Sequence, residues 1–302
     1  MVPIKIRYFS NFCDSKHCKE KVELICHSHL IPEYGEKFIL TEKDDFTHAI
    51  ILNTPMPVLS IPKENVIGFA FEPPAFLNIT KEFIEYAQNT IGKYYIGEKG
   101  NLPNPFVEGY AFMWHIVPSS LSLKNRLCSI MVSEKKNTWG HRYRHELVRA
   151  ILSTTLPIDI YGRGCRFFRT PNSPMDRRLC GEFKEMDSTI YSLYSFHVAV
   201  ENFSHHHYIS EKILNPLLCG TTPIYWGSNK INDYFPEMVY TLSGNLQQDM
   251  NQIFSILREP AKYMKKINIH VVEKTTNILR SSLFIQPKNY STAKTEIERS
   301  TK

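Results

Sequence analysis

Three stretches in the C-terminal half of the sequence concentrate residues able to hold an anion. Met131-Val-Ser-Glu-Lys-Lys-Asn-Thr-Trp-Gly-His-Arg-Tyr-Arg144 is a polar loop that delivers Arg142 and Arg144 into the start of a helix. Ile160-Tyr-Gly-Arg-Gly164 ends an apolar run with two glycines, which permit close backbone approach or a positive φ. In the third, a strand pattern through Val200 passes a loop containing Asn202 and Tyr208 and enters a helix that opens with Glu211 and Lys212. A diphosphate needs cations and fixed donors, and a pair of ribose or sugar hydroxyls needs a carboxylate. Lys212 and Glu211 supply one of each, with Tyr208 a turn earlier as a hydroxyl donor or stacking ring. Arg142 can clamp the same phosphates in a bidentate manner, and Arg144 is its near alternative. A Glu-Lys pair at a helix start is equally a solvated surface pair when it stands alone. Three charged loops converging on one sheet edge shift the balance towards a site.

The elements that must position these loops follow from periodicity. Residues 126–133 read as a strand, 141–152 as a helix with Tyr143, Leu147, Ala150 and Ile151 on one face, and 158–161 as a second strand. Strand, helix and strand with short links make a βαβ unit and hence a parallel sheet. The alternation continues with a helix at 189–194, a strand at 196–200, a helix at 210–218 and a strand at 223–226, then helices at 246–257 and 261–280. Ligands on open parallel sheets bind at the C-terminal strand ends, where a following helix presents unpaired N–H groups. The N-terminal half shows short apolar runs at 4–9, 37–40, 49–52, 66–71 and 94–96, with one helix at 82–91, and reads as α/β with irregular loops. The predicted organisation is an N-terminal domain over 1–120, a C-terminal domain over 121–287 and a polar, mobile tail over 288–302.

Composition bounds the class. A chain of 302 residues with 42% apolar and 22% charged residues can bury large cores and suits two domains. The net charge of +6 is spread along the chain, favouring a small anionic ligand as much as a nucleic acid, and no basic stripe interleaved with aromatic residues supports the latter. Seven scattered cysteines without a Cys-x-x-Cys pair read as mostly reduced thiols. Met1 leads directly into a strand pattern, and no run of eighteen apolar residues occurs, so the expectation is a soluble, cytoplasmic chain without signal peptide or transmembrane segment.

The order Glu201-Asn202, Tyr208, Glu211-Lys212, then Leu217-Leu-Cys-Gly-Thr-Thr-Pro-Ile-Tyr-Trp-Gly-Ser228 and Asn232-Asp-Tyr-Phe-Pro236 resembles the donor-binding signature of glycosyltransferase family 10, the α1,3/4-fucosyltransferases. Val132-Ser133, the Arg142 helix and Ile158-Asp-Ile-Tyr-Gly-Arg163 resemble the family's preceding βαβ element. In the N-terminal half the likeness is carried by Phe71-Glu-Pro-Pro74 and Phe106-Val-Glu-Gly-Tyr110. The resemblance implies an α/β fold of two facing Rossmann-like domains (GT-B type), the N-terminal one on the acceptor side and the C-terminal one holding GDP-fucose. It implies inversion at the anomeric carbon during transfer of L-fucose to a hydroxyl of a saccharide or glycoconjugate. Lys212 and Arg142 would then contact the phosphates, Glu211 a hydroxyl, Tyr208 and Asn202 would line the donor pocket, and Glu72 would be the general base. From its residues alone, Glu72 is equally a solvated carboxylate at a strand end before a rigid Pro-Pro turn.

A single in-line displacement needs one base and charge stabilisation for the leaving diphosphate, which cations and a helix N-terminus can supply without a metal or other cofactor. The absence of an Asp-x-Asp pair fits that expectation. His205-His206-His207 reads as a solvent-facing loop lining the donor pocket, since consecutive histidines cannot all face one ion. Pro216 is expected to kink or shorten the helix from Ser210. Two rival functions remain at this point: a transferase using another nucleotide sugar, and a non-catalytic sugar- or nucleotide-binding module. The chain resembles compact microbial or viral members, because it carries neither the stem and anchor nor the C-terminal cysteine cluster of vertebrate ones.

Overall fold

The computed structural model describes residues 3–28, 34–72, 74–109, 122–169, 176–183 and 188–272, which fall into two compact units, 3–109 and 122–272. The expected domain change at 120/121 and the tail at 288–302 lie outside the described residues.

In the first unit the chain runs β1 (Ile4–Ser10), α1 (Ser15–Ser28), β2 (Phe38–Leu40), β3 (His48–Leu52), β4 (Val66–Phe69), α2 (Pro74–Leu77), α3 (Lys81–Thr90), β5 (Lys93–Ile96) and β6 (Phe106–Glu108). Its strands form one sheet in the order β2-β1-β3-β4-β5-β6, every pair parallel. β3 and β4 are almost wholly buried, as a parallel strand covered on both faces must be. Thr80 caps α3 by accepting from the Phe83 amide, and Phe83, Ala87 and Ile91 bury one side of that helix among Val66, Tyr94 and Phe106.

The second unit runs β7 (Arg126–Met131), α4 (Trp139–Leu152), β8 (Ile158–Tyr161), β9 (Leu179–Gly181), α5 (Thr189–Ser192), β10 (Tyr194–Val200), α6 (Glu211–Leu218), β11 (Thr222–Trp226), α7 (Ile231–Tyr234), β12 (Tyr240–Thr241), α8 (Leu246–Arg258) and α9 (Pro260–Tyr263). Its sheet is again parallel throughout, in the order β12-β11-β10-β7-β8-β9. That order places β7 between β8 and β10, so the chain winds outwards in both directions from the β7/β10 pair. The crevice outside the carboxyl ends of such a pair is where ligands settle. Tyr143, Leu147, Val148 and Ile151 on α4 pack with Ile130, Ile160 and Val198 of the sheet into the main core of the unit.

Both parallel-sheet α/β units of the expected fold are present. The N-terminal half is more regular than its apolar runs suggest: the sheet is six-stranded, and α1 was not anticipated. The expected helix at 261–280 is overturned in part. α9 ends at Tyr263, and Met264 turns extended at φ −62° and ψ 125°. The following Lys265 amide donates to Thr222 Oγ1 at 3.1 Å, so the segment leaves its helix to bond the start of β11; from 273 onward it lies outside the described residues.

Cys13, Cys18, Cys128, Cys165, Cys180 and Cys219 are free thiols, Cys13 and Cys18 with their sulfurs 2.8 Å apart. Among the described residues no helix is long and apolar enough to cross a membrane.

Candidate anion-binding site of the second unit

At the carboxyl ends of β7, β8 and β10 lies a cavity of about 560 Å³. Val132, Ser133 and Lys135 enter it from the β7 end, Gly162 and Arg163 from the β8 end, and Asn202 from the β10 end. Its remaining wall includes His141 and Arg144 of α4 and Glu211 and Lys212 of α6.

Glycines bring these walls together. A Cβ on Gly140 would sit 1.9 Å from the Glu201 carbonyl oxygen, so α4 begins in direct contact with the end of β10. Gly162 combines φ +107° with a position where a Cβ would fall 2.3 Å from the Val132 carbonyl, and Gly164 packs similarly on Ser133. The dual role expected of the 162–164 glycines is therefore met.

The N-terminus of α6 is built on a buried carboxylate. Glu201, fully buried, accepts the Ser210 amide at 2.9 Å and the Ser210 hydroxyl at 2.6 Å. Ser210 Oγ in turn accepts the Lys212 amide at 3.2 Å as the helix cap. Lys212 Nζ donates to Glu211 Oε1 at 2.7 Å and stands 3.9 Å from Glu201 Oε2. Burial pushes the Glu201 carboxyl up to about 7, with Glu211 adding to the rise and the Lys212 ammonium and the Ser210 bonds opposing it. Burial also raises Glu211, but the charge and hydrogen bond of Lys212, a backbone hydrogen bond and the Arg144 charge together outweigh it and hold that carboxyl below its ordinary range. Pro216 lies within α6 as expected, and the helix is short, eight residues.

Arg144 is buried, its Nη2 donating to Asn202 Oδ1. Burial depresses its pKa while Glu201, Glu211 and Tyr208 raise it, and a guanidinium so placed keeps its charge. The preferred candidate, Arg142, is not brought to the cavity. Its guanidinium is exposed and donates to the carbonyls of Lys136, at 3.4 Å, and Asn137, at 3.2 Å. The reason is helical geometry: two positions along α4 are about 200° of rotation, so Arg142 and Arg144 point to opposite sides. Lys212, Glu211 and Asn202 all line the cavity. Tyr208 is buried within electrostatic reach of Arg144, away from the cavity wall. None of His205, His206 and His207 belongs to that wall, which corrects the loop's expected place; His207 Nδ1 instead bonds the Tyr234 hydroxyl at 2.6 Å. Among the described residues no cluster of three or more His, Cys, Asp or Glu could hold a metal ion.

His141 was passed over in the sequence. Its Nδ1 accepts from the Thr138 amide at 3.4 Å and pairs with the Thr138 hydroxyl at 2.8 Å, completing a reciprocal cap of α4. Burial, then the charges of Arg144, Lys135 and Lys212, push it down to about 4. At neutral pH it is an uncharged imidazole whose Nε2 carries the proton, a further donor on a cationic wall. The Thr138-x-x-His141 spacing was the available signal.

Glu72 belongs to the first unit, half-buried in a bend that follows β4. The Pro73 beside it and Tyr110 of the second N-terminal motif lie outside the described residues.

Residues 121–268 match the family described as glycosyltransferase family 10 (fucosyltransferase), C-terminal part. An α-(1,3)-fucosyltransferase B of Drosophila melanogaster is 31% identical over 125 residues, 41% of this chain and 28% of that protein. A GDP-fucose protein O-fucosyltransferase 3 of Gallus gallus is 28% identical over 159 residues, 51% of this chain and 30% of that protein. The aligned chain thus spans less than a third of each of these relatives. Among solved structures, an α1,3-fucosyltransferase aligns at a TM-score of 0.52 and 15% identity over 89% of this chain and 81% of that one. An α-glucosyltransferase in complex with UDP and a 13-mer DNA aligns at 0.53 and 12% identity over 100% of both chains. At these identities the structural likeness is one of fold.

Proposed function

We propose, from the match of residues 121–268 to glycosyltransferase family 10, that the chain is an inverting glycosyltransferase that moves L-fucose from GDP-fucose to a hydroxyl of a saccharide or glycoconjugate, without a metal ion. The observation that carries the reading is the convergence of Lys212, Arg144 and the capped start of α6 on one cavity at the β7/β10 crevice. A helix N-terminus and two cations suit a pyrophosphate, whose negative charge grows as the bond to the sugar breaks.

In this reading Arg144, rather than Arg142, shares the phosphates with Lys212. His141 adds an uncharged N–H donor, Glu211 takes a ribose or sugar hydroxyl, and Asn202 holds the Arg144 guanidinium. Tyr208 supports the site from behind the wall. Glu72 takes the proton of the acceptor hydroxyl as its oxygen attacks the anomeric carbon. The bond to the diphosphate then breaks from the opposite face, and its electron pair leaves with GDP.

The test is mass-spectrometric detection of transfer to a glycan array from a donor panel containing GDP-fucose, GDP-mannose and UDP-glucose, with Lys212→Ala as control. Transfer from GDP-fucose that Lys212→Ala abolishes supports the proposal. Transfer from another donor only, or GDP binding without transfer to any acceptor, overturns it in favour of a different transferase or a non-catalytic binding module.

A further inference from the structure

The backbone that carries Glu72 is anchored by a residue from the neighbouring strand. Asn53 directly follows β3 and holds φ +62°, a left-handed conformation that asparagine adopts more readily than most side chains. It is 7% exposed, and its polar groups reach three points of the adjoining structure. The Asn53 amide donates to the Phe69 carbonyl at 2.8 Å, continuing the β3–β4 ladder by one residue. Its side-chain Oδ1 accepts the Phe71 amide at 2.8 Å, and its carbonyl accepts the Tyr94 hydroxyl at 2.8 Å.

Phe71 is the residue immediately before Glu72. β4 ends at Phe69, and the Ala70 amide still bonds the Tyr95 carbonyl at 2.9 Å. The Phe71 amide has passed beyond the ladder and is taken up by a side chain instead. On the other side, Glu72 precedes a proline, which confines its own backbone to extended conformations. The Cα of Glu72 is thus restricted from both directions. A base must meet the acceptor hydroxyl within hydrogen-bond reach, and a displacement of about 1 Å can cost two orders of magnitude in rate.

We propose that Asn53 is a positioning residue for the general base: by accepting the Phe71 amide it fixes the segment from which Glu72 reaches the acceptor. This rests on the reading of Glu72 as the base. It adds that the left-handed asparagine at the end of β3 acts on turnover through Glu72 and leaves the donor site untouched.

Two substitutions separate the side chain from the backbone conformation. Asn53→Gly keeps the positive φ and removes the acceptor, whereas Asn53→Asp keeps an acceptor oxygen and tolerates the same φ. Transfer from GDP-fucose, GDP affinity by calorimetry and thermal stability are measured for both, for Glu72→Gln, and for Asn53→Gly combined with Glu72→Gln. Asn53→Gly should lower kcat about tenfold or more, with donor KM and GDP affinity within about twofold. Asn53→Asp should stay within about threefold of the parent. In the Glu72→Gln background, Asn53→Gly should add no further loss, because two residues acting through one group are not additive. Should Asn53→Gly prove unstable, Tyr94→Phe, which frees the Asn53 carbonyl, gives a partial loss of the same kind.

A parent-like kcat in Asn53→Gly, a full further loss on top of Glu72→Gln, or a parallel loss of GDP affinity overturns the inference while the base assignment stands. A parent-like rate in Glu72→Gln removes the base assignment itself, and this inference with it.

Discussion

Gly140 donates its amide to the Asn202 carbonyl at 3.2 Å, which locks the first turn of α4 onto the carboxyl end of β10. The same contact leaves no room for a side chain at position 140, where a Cβ would lie 1.9 Å from the Glu201 oxygen and 2.8 Å from the Asn202 oxygen. Both neighbours are backbone, so neither can rotate aside. Gly140→Ala must therefore push α4 away from the sheet and carry Arg144 with it. We expect a loss of about 1–3 kcal/mol in unfolding free energy together with weaker GDP binding. Denaturation and calorimetry on the purified variant check both, and parent-like values for the two would refute the packing argument.

The two arginines of α4 should behave oppositely. Removing a charged donor from a phosphate contact costs about 1.5–3 kcal/mol, so Arg144→Ala and Lys212→Ala should each weaken GDP binding by roughly 10- to 100-fold. Arg142→Ala, whose guanidinium rests on the Lys136 and Asn137 carbonyls, should bind GDP within about twofold of the parent. Isothermal calorimetry at fixed ionic strength decides between them. Equal losses for Arg142→Ala and Arg144→Ala would refute the assignment.

Glu201 makes stability depend on pH. Its carboxyl moves from an ordinary 4.5 to about 7 in the folded chain. The folded state therefore holds this proton more tightly than the unfolded state does. The resulting stabilisation is complete below pH 4.5 and is lost as pH rises through 7, a swing of about 3 kcal/mol. Glu211 is shifted the other way, and its contribution fades below the ordinary carboxylate range, outside this window. His141, held down to about 4, acts in the opposite sense in this window and does so in parent and variant alike, so it is the unfolding free energy of the parent relative to that of Glu201→Gln that should fall between pH 4.5 and 8. Identical slopes would show that Glu201 does not titrate there.

If Glu72 is the base, Glu72→Gln should lower kcat for transfer by about 10²–10⁴ and leave GDP affinity unchanged. A variant that turns over at the parent rate would remove Glu72 from the reaction.

Much of the second unit was legible because β7, β10 and β11 run five to seven residues and its longer helices are strongly periodic. Phe196–Val200 of β10 is a continuous buried run, and α4 carries its apolar residues at regular spacing. β9 and β12, three and two residues long, are too short to carry a period. α1 does carry Cys18, Val22, Ile25 and Cys26 at helical spacing, with Cys18 and Val22 buried, but the stripe is short and set among lysines, glutamates and histidines, and it was passed over. At the site, Lys212 and Glu211 were legible from the sequence, whereas the choice between Arg142 and Arg144 required the phase of α4. Glu201 stood within the recognised motif without a role, because neither its complete burial nor its bonds to Ser210 can be read from neighbouring letters.

Pro216 has no amide hydrogen, so the Lys212 carbonyl cannot receive the usual bond from four residues on, within a helix of eight residues. Isolated helices of that length are marginal in water. α6 is consequently held by what surrounds it: Ile213, Leu214, Leu217 and Leu218 are buried along its length, and its first turn is tied to the end of β10 by the clasp between Glu201 and Ser210. Amide hydrogen exchange at Lys212 would then report the opening of that clasp rather than the unwinding of a helix.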